Sequence, residues 1–590
     1  MGHAMYLHFL STSFLNCWHW KIISHSVVFI NFIVFFSYIL IISFQFIPTA
    51  AIMNSISCVQ YKNYQPIIGE FGIYQILLAA AMIPPAILFS FSIMGDTFLL
   101  ILPVDYWCYI PELATRSKEE QLALAIPKLK NGMFDKCRMY QVETNWADIN
   151  VSKADESWPK IPCNNGWKYD LDQLPFVTIP MNYNWVCDQE IFRVYLVIAW
   201  FVGSIVGCLF CGYLCDHWGR DLTFFLSNWC VFVGGFWTSM CNNFYCFFFA
   251  RFMAGFGVHF AFLSIFILAL ENVGMKHRTK VGNLALALAL PVGGGIIPWI
   301  VLWCDHWKFF NQVITLTFTI PMLLSSFILE SATWLLAKGK IDKGMKVLKQ
   351  VAKINKKSIS DDVWSNINNC YTNISVEQPS KKNYRFYRWL HCAESSRRIG
   401  VIIIIMSYQF ILSMTQEGLR QIAFLLRVNH FIIFSISELI EVPAGVVPLL
   451  LLDRVGRKPL SIWLVFICSF FCLCGIPAPE VAYEIIALCG MFFIAAANKV
   501  AKQWIVELLP TVIRGEGMAL ASVMEVVGSV LSPIVIITEI WYRTLPVVIL
   551  ALMSLIGGII IFYLPETMDE GLSASLEESD PRWSRNQQML

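Results

Sequence analysis

Charge is what this chain has least of. Only 14% of its 590 residues are charged, 57% are hydrophobic, and mean hydropathy is +0.59. A soluble globular chain carries roughly 25% charged residues, so an ordinary set of soluble domains is argued against first. The net charge of +2 is too small to suggest a nucleic-acid partner. The glycine triple Gly293-Gly294-Gly295 is not followed by Lys-Ser/Thr and lies in an apolar stretch, so it is no phosphate loop. No His/Cys/Asp/Glu set shows metal-ligand spacing, and no nucleophile elbow appears. The reading is therefore no enzyme, no cofactor and no metal site.

What is abundant is cysteine and apolar length. Most of the 19 cysteines fall inside apolar segments, where Cys behaves as a small hydrophobe. Four fall in one polar region: Cys108, Cys137, Cys163 and Cys187. An even count there suggests two disulfides, with three pairings open. The same region carries a glycosylation sequon at Asn150-Val151-Ser152.

Crossing about 30 Å of hydrocarbon takes roughly 20 apolar residues. Such stretches fall near 73–101, 191–213, 222–243, 245–270, 281–303 and 309–329, then near 399–419, 429–452, 460–477, 482–506, 516–538 and 545–564. A further run at 27–50 is long enough to span, with Met53 as an alternative start. Two long polar segments interrupt the series, at 104–190 and 330–398. The second is led by Lys338, Lys340, Lys343, Lys346, Lys349, Lys353, Lys356 and Lys357, and the positive-inside bias puts it in the cytosol. An odd number of crossings then puts the first outside. Within the second, Lys340 to Asn355 reads as an amphipathic helix, packed on the bundle or lying on the membrane surface.

One short motif occurs twice at half-chain spacing. Asp216-His217-Trp218-Gly219-Arg220 and Asp453-Arg454-Val455-Gly456-Arg457 each sit between two apolar segments. The repeat implies one six-helix unit used twice, the build of a major facilitator transporter. The fold class expected is an all-α membrane protein with twelve transmembrane helices in two pseudo-symmetric halves. The organisation read is 1–68, an N-terminal extension; 69–329, the first half with its loop 104–190; 330–398, a central loop; 399–564, the second half; and 565–590, a tail.

From Gly69 to Leu572 the chain also resembles solute carrier family 22, the organic cation, anion and zwitterion transporters. The resemblance rests on the four-cysteine loop, on Trp185-Val186-Cys187-Asp188 entering the second span, and on Glu330-Ser331-Ala332-Thr333-Trp334-Leu335-Leu336. It rests also on Glu507-Leu508-Leu509-Pro510-Thr511-Val512-Ile513-Arg514 and on Leu564-Pro565-Glu566-Thr567. Departures mark a divergent member: Asp221 stands where a second basic residue is expected, and Thr333 where an Arg is.

The resemblance implies alternating access, with charges that hold the cytosolic face shut and break as the carrier tips. The residues expected in that role are Asp216, Gly219, Arg220, Arg251, Glu271 and Arg278 in the first half. Asp453, Gly456, Arg457, Glu507 and Arg514 are their counterparts in the second. Ionisable residues inside spans need partners or a wet cavity, since each costs about 2.5–3.5 kcal/mol to insert. Glu438 and Glu441 share one helix face, and so do Lys499 and Lys502; internal pairing between the two sets is one reading. The other puts Glu438 or Glu525 in the central cavity as counter-charge to a cation. In cation-transporting relatives an Asp on the eleventh span serves this role, and the matching position here is Val526, one residue from Glu525. No Arg lies on that span, against an anion carrier. Asp96, Glu417, Arg420 and His259 are further ionisable residues in spans. Phe91, Trp200, Tyr408, Phe410 and Trp504 could offer cation–π surface or simply pack.

The function expected is secondary active or facilitative transport of small organic cations or zwitterions at the plasma membrane, with both tails of the twelve-helix body cytosolic. The partners expected are that small organic ion and the lipid bilayer. The alternatives are a non-transporting receptor or scaffold and an organic-anion carrier of the same fold.

Overall fold

A computed structural model describes residues 65–568, apart from 104, 130–133, 143–157, 172–173, 378–395 and 425–429. The apolar run at 27–50, the sequon at Asn150 and the tail beyond 568 lie outside the described residues.

Among the described residues twelve helices make up the body. The first six are α1 (Ile73–Ala81, continuing as Ile83–Leu100), α2 (Ile191–His217), α3 (Arg220–Met240), α4 (Phe244–Asn272), α5 (Met275–Leu284, a π turn at Ala285–Ala289, then Leu290–Cys304) and α6 (Trp307–Thr317 with Thr319–Ser325). The second six are α7 (Ser396–Ala423), α8 (His430–Leu439 with Glu441–Val455), α9 (Arg457–Cys474), α10 (Glu480–Leu508), α11 (Arg514–Ile537) and α12 (Leu545–Ile561). Nine of the described stretches are long and apolar enough to cross a membrane, and α12 is a shorter apolar helix. Large apolar side chains such as Leu77, Trp303, Phe327, Leu450, Phe470 and Tyr563 stand exposed on the outside of the bundle, as the surface of a membrane protein requires.

The most apolar stretches of the spans differ sharply in enclosure. That of α4 is 89% buried and that of α1 only 33%, so α4 runs through the protein interior. Close approach is built from small residues: Gly203 and Gly207 of α2 face the backbone of α4 at Phe252 and Phe256, where any Cβ would collide. Gly255 and Gly257 of α4 press on Trp200 and Ser227, and Gly293 of α5 on Ile87 of α1.

The two long polar segments sit at opposite ends of the bundle. At the loop end, β1 (Tyr106–Cys108) pairs with β4 (Trp167–Tyr169), and β2 (Arg138–Tyr140) pairs with β3 (Lys160–Pro162), both antiparallel. Of the three pairings open in the sequence, the structure has Cys108–Cys163 and Cys137–Cys187. A third disulfide, Cys241–Cys246, closes the α3–α4 connection. It escaped the sequence reading because both cysteines looked like part of apolar runs. The loop rests on the α5–α6 connection, with Val177 N–H donating to the Asp305 carbonyl and Trp307 N–H to the Val177 carbonyl.

At the turn end lie Ala332–Ala337, Ile341–Ile354 and Asp361–Glu377. The amphipathic helix is packed on the bundle: Met345, Leu348 and Val351 are buried, while Lys343, Lys346, Lys349 and Lys353 are exposed. Asn355 ties its far end to α1, accepting from Tyr74 N–H at 2.9 Å and donating to the Ile68 carbonyl at 3.1 Å.

Candidate functional site

Both motif turns need glycine. Gly219 has φ +121° and Gly456 has φ +95°, a region an L side chain seldom adopts. Each turn opens a helix whose free N–H groups a carboxylate then fills. Glu330 accepts from Arg220 N–H (3.0 Å) and Asp221 N–H (3.3 Å); Glu566 accepts from Arg457 N–H (3.0 Å) and Lys458 N–H (2.9 Å). A Cβ on either glycine would strike that carboxylate. Burial pushes the Glu330 carboxyl above the usual carboxylate range, against the pull of the Ser331 N–H and the Arg220 charge.

The turns also bind the two halves together. The Asp216 carboxylate, fully buried, accepts from Gly515 N–H (3.0 Å) and Glu516 N–H (2.9 Å), capping α11 from the other half. Glu271, on the last turn of α4, accepts from Arg220 (3.0 Å) and from Arg514 (2.7 Å), which belongs to the second half. The second-half set mirrors this. Arg457 reaches Glu507 at 2.9 Å, and Arg278 of the first half stands 3.9 Å from the same carboxylate. Asp453 departs from the symmetry: its side chain is 43% exposed, accepts from the Thr279 hydroxyl (2.5 Å) and stands 3.5 Å from Arg457.

Arg251 does not join this set. It lies early in α4, about 30 Å along the helix from Glu271 at 1.5 Å per residue, and it pairs with Asp96 of α1. The pair borders a void inside the first half, lined also by Phe91, Trp200, Phe310 and Asn311. Expecting Arg251 near Glu271 placed two ends of one long helix together.

A second void, about 430 Å³ with its open mouth included, lies between the halves. Its walls come from α1 (Phe89), α4 (His259, Phe262, Phe266), α5 (Leu286, on the π turn), α7 (Gln409), α10 (Lys502) and α11 (Ser522, Glu525). Lys502 and Glu525 form an ion pair of 2.9 Å there, with side chains 22% and 21% exposed. His259 meets the edge of Phe89 at 5.6 Å between ring centres. Glu525 faces this cavity, whereas Val526 is buried outside it.

Of the two counter-charge candidates, Glu525 lines that cavity, while Glu438, with Glu441 and Lys499, is not among its lining residues. The latter three cluster within the second half. Lys499 donates to Glu441 at 2.8 Å, and Arg420 contacts Glu441 at 2.8 Å and Glu438 at 3.0 Å. The lysines thus part company: Lys499 serves Glu441 and Lys502 serves Glu525. Residues three apart on a helix still diverge by about 60° around the axis, enough for two long side chains to reach different neighbours. Tyr408 and Trp504 are buried and line neither void. Their aromatic surface packs among helices, as the aromatic content of every span allows.

Three partners escaped the sequence reading as site residues. Thr279 and Gln503 link Asp453, Arg457 and Glu507, while Thr567 donates to Glu507 at 2.8 Å. Neutral polar residues carry no signal of their own until neighbours are known.

Residues 177–578 match the family model described as "Sugar (and other) transporter". The chain is 27% identical over 532 residues to the carcinine transporter of Drosophila melanogaster, covering 87% of this chain and 78% of that protein. It is 26% identical over 545 residues to the beta-alanine transporter of the same organism, covering 87% and 88%. With solute carrier family 22 member 6 of Mus musculus the identity is 25% over 530 residues, covering 89% and 95%. In structure it is similar to the proton:xylose symporter XylE bound to 6-bromo-6-deoxy-D-glucose, with TM-score 0.58, 15% identity, and coverage of 85% of this chain and 98% of that one.

Proposed function

Since the chain belongs to the sugar (and other) transporter family, we propose that it carries small organic zwitterions, and cations less well, across the plasma membrane by alternating access. The observation that supports this is the Lys502–Glu525 pair in the cavity between the halves. A substrate bearing both an ammonium and a carboxylate can replace each partner for the other. The ammonium takes Glu525, the carboxylate takes Lys502, and no net charge is left buried. A plain anion leaves Glu525 uncompensated in a low-dielectric site, and a plain cation leaves Lys502 so, each at a cost of several kcal/mol, on the order of a buried ion with its partner removed. One relative is named for beta-alanine, a molecule with these two charges.

Asp216 with the α11 N-terminus, Arg220–Glu271–Arg514, and Arg457–Glu507–Arg278 act in this reading as the breakable closure of the turn end. Their lysine-rich neighbourhood favours the cytosolic side for that end, and for both tails of the body. Asn150 then faces outward and is glycosylated.

The test is uptake of radiolabelled beta-alanine, carnitine and tetraethylammonium in oocytes, normalised to surface protein. Beta-alanine uptake above control is expected. Glu525→Gln should abolish uptake of all three, and Lys502→Gln should depress the two zwitterions more than tetraethylammonium. Uptake of organic anions alone, or indifference to Glu525→Gln, would overturn the substrate class.

A further inference from the structure

We propose that Glu438 carries a proton, and that an inward proton gradient drives transport through it. The inference rests on the transport reading above, and the experiment separates the two.

Five ionisable side chains meet inside the second half: Glu417 and Arg420 of α7, Glu438 and Glu441 of α8, and Lys499 of α10. Among the described residues, three carboxylates share two cations. Arg420 alone faces all three, at 3.5 Å from Glu417, 3.0 Å from Glu438 and 2.8 Å from Glu441. Among the described residues, no ion pair reaches Glu438 from the other elements against it. On α5 it meets Gly294, and on α1 the neighbour of Arg420 is the Met94 sulfur at 3.6 Å.

The three acids are held unequally. Glu441 accepts from Gln416 (2.7 Å), Arg420 and Lys499. The Glu417 side chain is 30% exposed. Glu438 is buried, and its Oε1 touches Arg420 without accepting a hydrogen bond. An excess negative charge in a membrane interior costs several kcal/mol unless it is neutralised. The neutralising proton falls on the least supported carboxylate, Glu438. A metal cation would need several oxygens aimed at one point, and those of Glu441 are already occupied.

Two features couple that proton to transport. First, Glu438 lies on the seam between the halves. A Cβ added to Gly294 of α5 would meet its carboxylate, and Ser435 of α8 donates to the Gly295 carbonyl at 2.9 Å. Closing this seam strips water from Glu438, and opening it returns water. The carboxylate therefore binds one proton on closing and releases it on the side to which it next opens. Second, a chain of amides joins the cluster to the substrate cavity. Gln409, in the cavity wall, donates to Asn498 (3.0 Å), Asn498 to Gln416 (2.8 Å), and Gln416 to Glu441. A substrate that moves Gln409 shifts a donor on Glu441, and with it the share of Arg420 left to Glu438.

The experiment uses the full chain in proteoliposomes with radiolabelled beta-alanine. Wild type should accumulate several-fold more label under an inward acid gradient, and a protonophore should remove the gain. Glu438→Gln should lose the gradient dependence while counterflow remains measurable. Gradient-independent accumulation by wild type, gradient-driven accumulation by Glu438→Gln, or a requirement for sodium would overturn the proposal. Absence of both uptake and counterflow in wild type would sink the transport reading instead. The proton site is then read from thermal unfolding of the purified protein. A proton bound only by the folded state stabilises it where the proton is bound, and that contribution is lost as pH rises. The wild-type melting temperature should therefore fall from mildly acidic to mildly alkaline pH more steeply than that of Glu438→Gln. Parallel pH profiles would overturn the site.

Discussion

The side chain of Asp216, on the last turns of α2, caps the first free N–H groups of α11, with Gly515 N–H at 3.0 Å. The two residues lie in different halves of the chain, so a helix-capping contact doubles as a clasp. The positive end of the α11 dipole makes it charge-dependent. A neutral isostere keeps the shape and loses that charge.

Asp216→Asn is accordingly expected to cost about 2 kcal/mol, in the range of hydrogen bonds to a charged group. Transport per surface molecule should fall roughly 30-fold if the closed turn end is part of the cycle. Asp453→Asn, at a half-exposed carboxylate, should cost far less. Equal losses in the two variants, measured by uptake against surface biotinylation, would contradict the asymmetry.

Glu271→Gln removes the carboxylate that Arg220 and Arg514 share, leaving Arg514 buried without its ion-pair partner while Arg220 keeps Asp216 at 3.4 Å. Breaking a buried pair costs about 3–5 kcal/mol, so a lower melting temperature in detergent and poor expression are expected. Adding Arg514→Gln should recover part of that loss. A double variant no more stable than the single one would argue that Glu271 does not bridge the two guanidinium groups.

Asp96→Asn should behave like Glu271→Gln, because Arg251 then has no counter-charge in its apolar setting. Replacing both, as Asp96→Asn with Arg251→Met, should be milder than Asp96→Asn alone, since no charge is left buried. Thermal unfolding of the three proteins provides the comparison.

The sidedness has a chemical test. Cys474, exposed at the end of α9, lies at the same end of the bundle as the loop 104–190. A membrane-impermeant maleimide should label it on intact cells, and Cys474→Ser should lose that increment. Asn150→Gln should abolish a glycosidase-sensitive gel shift. Labelling only after permeabilisation would invert the proposed topology.

The loop disulfides should be structural. Each closes a loop of 50 or more residues, and loss of either should cost about 2–5 kcal/mol. Cys137→Ser should lower the melting temperature and surface delivery together. Unchanged thermal stability would leave the bridge without a structural role.

Much of this was readable along the chain. Apolar length sets where a helix can cross hydrocarbon, so the spans followed from hydropathy alone. The repeated Asp-x-x-Gly-Arg turn and the family resemblance pointed to the partners around Glu271 and Glu507, because local geometry repeats when its sequence does. Contacts between distant helices were not readable in this way. Lys499 and Lys502 look alike in sequence, yet one joins a cluster within the second half and the other lines the void between the halves. Glu525 and Val526 differ by one residue, and only one faces that cavity. Arg251 reads as a member of the turn-end set until helix length carries it to the other end. A span's length and its buried charges are properties of the segment itself. The partner each charge finds depends on helix rotation and on which neighbour packs there, and only the assembled bundle decides that.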